Sequence, residues 1–163
     1  MPTTSNTTIG VSLGSRYVGT AVLVGTELRD WRIRVIRGET LIDKLQRLTS
    51  ILARLLDTYC PTSIVIKKVR LSSSSSTMDR LQLEAREFLR QHGVTVHEYT
   101  LYQLKARLLP GGRVNKTKLV ESIVFQFPVL FQEWEREKSL KHSYRIAMYE
   151  AVALANTPDT RAR

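Results

Sequence analysis

The 163-residue sequence predicts an α/β fold in which helices flank a mixed five-stranded sheet, and three observations lead to this class. The first third of the chain alternates apolar and polar residues, as strands with one buried face do. Leucines then recur at helical spacing between Leu41 and Tyr59. The continuous apolar run Ile64-Val65-Ile66 follows, and such a run is typical of a strand buried on both faces. The length fits one domain over residues 1–163, with its core at about 8–156.

The first three elements are predicted to be strands joined by short turns. Residues 8–11 form a β-run, a turn follows at 14–16, a second run covers 17–24, and residues 25–27 lead into a third run. In that third run the apolar and the basic residues alternate, which predicts one buried face and one basic, solvent-exposed face: Trp31, Ile33 and Val35 against Arg32 and Arg34.

The rest of the chain alternates helices and strands. Thr40 offers an N-cap for the first helix, Pro61 ends that helix, and a crossover to a parallel strand at 64–66 follows. A helix over about 78–92 ends at Gly93, and residues 94–99 alternate as a further strand. Three more helical segments are predicted at 101–109, from the cap Asn115 to Pro128, and at about 143–156.

Composition indicates a polyanionic partner. Lys and Arg number 25 against 15 Asp and Glu, which gives a formal net charge of +10. Such an excess favours phosphate contacts with nucleic acid. No apolar run approaches the roughly 20 residues that a membrane span needs, and the first residues lack a secretory pattern. The lone Cys60 excludes an internal disulfide, so a cytoplasmic protein is expected. Its thiol has no adjacent basic residue and is expected to be buried.

A motif at residues 10–19 points to a family. Ser12 lies in the first β-run, and Leu13-Gly14-Ser15-Arg16 follows it. This segment resembles the first hairpin of the RuvC Holliday-junction resolvases, which belong to the RNase H-like superfamily and have an Asp followed by Pro-Gly-Ser-Arg there. The predicted order βββαβαβα is also that of the RNase H-like fold. The resemblance extends over residues 9–156 through five further segments: 61–69, 96–99, 103–105, 115–118 and 150–155.

The resemblance implies that metal chemistry has been lost. The four carboxylates of the family map to Ser12, Lys67, Ala147 and Glu150, and of these only Glu150 is acidic. One carboxylate cannot hold the two magnesium ions of such a nuclease. We therefore expect no metal, no other cofactor and no nuclease activity. Glu150 lies on an apolar helix face, where a lone carboxylate is costly, and Lys67 is its expected partner.

Basic residues near the matched positions are the candidate phosphate contacts. Asn115 caps a helix whose first turn carries two lysines, and helix N-termini attract anions. The full predicted nucleic-acid-binding set is Arg16, Lys105, Arg107, Arg113, Asn115, Lys116 and Lys118. Arg70, Arg32 and Arg34 would extend this surface, and Tyr17 and Tyr102 could stack on unpaired bases.

The sequence thus predicts an inactive, RuvC-like protein that binds nucleic acid through phosphate contacts. The resemblance makes DNA, branched DNA included, the expected ligand, whereas the residues alone leave DNA and RNA open. It also makes a homodimer plausible. An active magnesium-dependent nuclease with relocated carboxylates is one alternative, for which Glu98 or Asp30 could serve. A protein-interaction subunit without nucleic-acid binding is another. An ATP-binding protein of the actin and sugar-kinase kind would need a second domain, for which the chain is too short.

Overall fold

Five strands form one mixed sheet. The structure, a computed structural model, describes residues 5–36, 38, 40–68, 76–108, 115–137 and 145–157. The strands are β1 (Thr7–Leu13), β2 (Tyr17–Val24), β3 (Glu27–Val35), β4 (Ser63–Lys68) and β5 (Thr95–Thr100). Their order is β3-β2-β1-β4-β5, antiparallel among the first three in sequence and parallel from β1 to β4 and from β4 to β5. The predicted fold class is confirmed.

The described helices follow the predicted order with one addition. They are α1 (Leu41–Tyr59), α2 (Ser76–Gln91), α3 (Leu101–Leu108), α4 (Lys116–Gln126), α5 (Phe131–Glu137) and α6 (Ile146–Ala155). A 3-10 turn, Pro128–Leu130, joins α4 to α5. The predicted caps are present, since the side chains of Thr40 and Asn115 accept hydrogen bonds from the third residue after each.

The sheet separates two apolar cores. On one face Ile9, Val11 and their neighbours pack against the leucines of α1 and α2. On the other face Ala21 and Val65 pack against α4 and α6. Helix α6 approaches the sheet closely because Gly10 and Gly19 carry no side chain: a Cβ at either position would overlap the helix backbone, at Ala151 and Ala147 respectively. This close approach brings the first turns of α6 next to β1.

Three sequence predictions are corrected. The thiol of Cys60 is exposed, because this residue forms the left-handed C-cap of α1 with φ of 45° and lies outside the core. Val35, assigned to a buried face, is 36% exposed because it lies at the end of the edge strand β3 and belongs to neither core. Helix α5 is absent from the sequence prediction, since its charged sequence has little apolar periodicity. In the described ranges, no helix is long and apolar enough to cross a membrane.

Candidate functional site

A cleft of about 240 Å³ opens where β1, β4 and α6 meet. Ser12 lies near the end of β1 and Lys67 near the end of β4, and parallel pairing of these strands brings their carboxyl ends to the same edge. Helix α6 crosses this edge and supplies Ala147 and Glu150. All four positions matched to the family's carboxylates therefore line one cleft, as the order and spacing of the motifs predict.

The centre of the cleft is an ion pair between a lysine and a glutamate. Lys67 Nζ lies 3.0 Å from Glu150 Oε2, and the glutamate side chain is only 4% exposed. The main chain of Lys67 is fixed from α2, because Gln82 Nε2 donates a hydrogen bond of 3.0 Å to its carbonyl oxygen. The ammonium therefore supplies the counter-charge that a buried carboxylate needs.

Two polar atoms in this cleft lack a hydrogen bond within the described structure. The Ser12 hydroxyl is fully buried and has no partner. Glu150 Oε2 makes the ion contact with Lys67, but no hydrogen bond of directional geometry. Buried polar groups are usually satisfied, so both atoms carry the cost of a missing hydrogen bond, and neither is exposed on the surface of the cleft.

Two of the predicted phosphate contacts stand at the rim of the cleft. Arg16 projects from the turn between β1 and β2, and Lys116 opens the first turn of α4; both line the cleft. Asn115 is the N-cap of α4, and its Oδ1 accepts a hydrogen bond of 2.8 Å from the main-chain N–H of Lys118. Both lysines are exposed in the first helical turn, where no acidic side chain offsets them.

The other predicted contacts that belong to the described residues do not line the cleft. Arg107, on α3, stacks its guanidinium 4.7 Å from the ring centre of Tyr99. Tyr99 is paired in register with Lys67, so this stack lies one strand from the cleft. Lys105 is half-buried on the same helix and does not line the cleft. Arg113 and Arg70 lie outside the described residues.

The sequence interpretation does not identify Tyr99 as the residue on which Arg107 stacks, one strand from the cleft. The register of the parallel strands β4 and β5 places Tyr99 beside Lys67, and both residues lie on the face that α6 covers. Tyr102, predicted to stack on bases, is 72% exposed. Tyr17 lines the cleft next to Arg16.

The residues of this cleft do not fit a pair of divalent cations. Of the described residues that line it, Glu150 is the one carboxylate, and it already faces an ammonium. Magnesium sites need several hard oxygen ligands. Glu98 and Asp30 cannot supply them, because each forms an ion pair elsewhere, with Arg86 and Arg32 respectively. Within the described ranges, no group of three or more His, Cys, Asp or Glu side chains could hold a metal ion.

Comparison with known proteins gives a structural match and no sequence match. No protein-family model matches the chain, and no curated protein matches its sequence. RuvC of Thermus thermophilus in complex with Holliday junction substrate superimposes with a TM-score of 0.71 at 13% identity, over 92% of this chain and 90% of that chain. The yeast mitochondrial Holliday junction resolvase gives 0.68 at 11% identity, over 93% and 76%. The Fowlpox virus resolvase with substrate junction DNA gives 0.57 at 12% identity, over 91% and 94%.

These matches define the class of fold. The protein has the RNase H-like fold of RuvC and related Holliday junction resolvases, with a mixed five-stranded sheet flanked by helices. At this level of identity the likeness concerns the fold, so the residues of the cleft have to carry the argument about activity.

Proposed function

We propose that this protein binds nucleic acid through phosphate contacts at the cleft and does not cleave it. The observation that carries the proposal is the ion pair between Lys67 and Glu150, two positions at which the family resemblance implies metal-binding carboxylates. Glu150 is the one carboxylate among the described residues of the cleft, which is too few for metal-assisted hydrolysis, and the lysine adds positive charge that attracts phosphate.

The charge balance of the cleft supports phosphate binding. Arg16, Lys67 and Lys116 are its cations and Glu150 is its one acid among the described residues, which leaves a net charge of about +2. The N-terminus of α4 adds the positive end of a helix dipole beside Lys116.

The finer identity of the ligand is part of the proposal. The fold is shared with proteins whose structures contain Holliday junction DNA, and this supports DNA, branched DNA included, as the ligand. Contacts to phosphate and shape, without base readout, suit that role. A homodimer acting in the cytoplasm belongs to the same proposal.

A binding titration at several salt concentrations tests the proposal. Four-way junction, duplex and single-stranded DNA, with RNA of the same lengths, are titrated with wild type and with the Arg16→Ala/Lys116→Ala variant. Each of the two replaced side chains that contacts a phosphate should reduce the slope of log affinity against log salt by roughly one unit. Base preference should stay unchanged. Lys68→Ala is the matched control, because Lys68 is an exposed neighbour of Lys67 that does not line the cleft.

The result that would overturn the binding proposal is equal slopes for wild type and the cleft variant. Absence of binding to every nucleic acid at low salt would instead favour the protein-interaction subunit. The same substrates incubated with magnesium or manganese should remain intact. Metal-dependent cutting of a junction would support the active nuclease and refute the loss of catalysis.

A further inference from the structure

A second basic surface lies on the other face of the sheet, in a groove between β3 and α1. The groove has a volume of about 840 Å³. Three arginines line it, Arg34 from the strand and Arg47 and Arg54 from the helix, together with the neutral hydrogen-bonding side chains of Gln46 and Ser50. Asp43 is the one acidic residue among the described residues of its lining, so these arginines leave a net charge of about +2. We refer to this surface as the arginine groove.

The arginines of this groove form no ion pair within the described part of the chain, and the carboxylate of Asp30 offsets part of the charge of Arg34. Arg47 and Arg54 are exposed and lie two helical turns apart, on one stripe of α1. None of the three forms an ion pair with a described carboxylate. Arg34 Nη1 donates a hydrogen bond of 2.6 Å to the neutral Thr20 hydroxyl. Burial and the charge of Arg32 lower the pKa of Arg34, which agrees with a cluster whose positive charges repel one another.

The groove and the cleft are separated by one turn of the chain. Ser15 and Arg16, in the β1–β2 turn, line the cleft. On the other side of the turn, Lys44 Nζ of α1 donates a 3.0 Å hydrogen bond to the Ser15 carbonyl. The main-chain N–H of Ile36 donates a 2.9 Å hydrogen bond to the Arg16 carbonyl. Lys44, which follows the groove residue Asp43, therefore joins α1 to the turn that carries Arg16 of the cleft.

We propose that the arginine groove holds the phosphate backbone of the same nucleic acid beyond the segment that the cleft contacts. Guanidinium groups match phosphate oxygens with paired donors, and Gln46 and Ser50 add neutral hydrogen bonds without repelling an anion. The inference rests on the proposed function and extends it, because it assigns a second binding face that makes ligand length matter. An oligonucleotide that reaches only the cleft does not use the groove, whereas a longer strand or duplex arm crosses the β1–β2 turn and does.

The test combines charge removal with ligand length. Arg47→Ala/Arg54→Ala removes two groove cations, and the matched control Arg80→Ala/Arg90→Ala removes two exposed arginines from α2, away from both surfaces. For long DNA, the groove variant should lower the salt slope by roughly two units, and the control should leave it unchanged. For an oligonucleotide of only a few nucleotides, the groove variant should bind like wild type. Arg47→Lys/Arg54→Lys keeps the charge and should recover part of the affinity for long DNA.

The outcomes separate this inference from the proposed function. If the cleft variant weakens binding and the groove variant does not, the groove proposal is wrong and the cleft proposal stands. If the groove variant weakens binding of long DNA and the cleft variant does not, the groove is the binding site and the cleft proposal fails. Equal losses of affinity for the groove variant and the α2 control would show that the effect comes from net charge alone. This result would overturn the groove proposal. Absence of binding by wild type overturns both.

Discussion

The cleft and the arginine groove both carry excess positive charge, but they differ in how that charge is held. In the cleft, Lys67 is mostly buried and lies 3.0 Å from Glu150, whose side chain is 4% exposed. In the groove, Arg47 and Arg54 are exposed on one side of α1 and have no described carboxylate within ion-pair distance. One surface has its central charge compensated internally, and the other leaves its charges to solvent.

This difference predicts that changes in the cleft pair alter stability, whereas changes in the groove alter binding. A buried ion pair loses hydration and is compensated only through its partner, so removing one member leaves an uncompensated charge in the core. Exposed arginines keep their hydration, and their removal costs the fold little. The central pair of the cleft should therefore affect stability first, whereas the groove should affect binding alone.

The largest expected effect is the loss of stability on removing the lysine of the pair. Lys67→Met should destabilise the fold by about 3–5 kcal/mol, because Glu150 would remain buried without a counter-charge. Urea unfolding at neutral pH measures this free energy. Lys68→Met is the control, since Lys68 is the exposed neighbour on the same strand, and its effect should stay within about 0.5 kcal/mol.

The double variant Lys67→Met/Glu150→Gln sharpens that result. Removing both charges should recover most of the stability, because no ion is then left in the core. If Lys67→Met unfolds at the same urea concentration as wild type, the pair is solvated in solution and the contrast between the cleft and the groove disappears.

A smaller effect is expected from adding a carboxylate to the cleft. Ser12→Asp would place a second acid beside Glu150, with one ammonium between them, and should cost about 1–3 kcal/mol at neutral pH. Burial and the like charge should raise the pKa of the new carboxyl above its unfolded value of about 3.9. Stability should then be retained at low pH, where the group is protonated, and be lost as pH rises through the raised pKa.

Thermal unfolding of Ser12→Asp with and without magnesium checks this prediction and the metal argument together. We expect magnesium to leave the unfolding temperature unchanged, because the Lys67 ammonium still lies beside Glu150 and repels a cation. Ser12→Ala is the control, and its stability should be close to that of wild type since the hydroxyl has no partner to lose. A rise in unfolding temperature with magnesium would show that one added carboxylate rebuilds a cation site.

Much of the fold could be predicted from sequence because its signals are local. Leucine periodicity identifies α1, and the caps Thr40 and Asn115 place two helix starts. The side-chain alternation of β3 and the continuous apolar run of β4 identify those strands. Helix α5 could not be found this way, because Trp134 packs against the core from a charged segment without a repeating apolar stripe.

The residues of the site could be predicted only where they belong to a sequence motif. The segments around Ser12, Lys67 and Glu150 indicate one cleft through their order along the chain. The arginine groove has no motif: Arg34 and Arg47 face each other because of the antiparallel pairing of β3 and the path of α1 over the sheet. The alternation of β3 predicts that Arg32 and Arg34 share a face, but sequence spacing does not encode which helix lies over that face.

The smallest expected effect concerns the stability of the cleft rim. Lys116 and Lys118 lie in the first turn of α4, where a positive charge opposes the helix dipole. Replacing either lysine by alanine should therefore increase stability by only about a few tenths of a kcal/mol. Asn115→Ala is the contrasting control, because it removes the cap that bonds Lys118 N–H and should cost about 1 kcal/mol. Urea midpoints for the three variants measure these differences. A clear loss of stability in Lys116→Ala would mean that this lysine supports the fold, as Lys67 does, and the rim would then belong with the buried pair instead of with the exposed arginines.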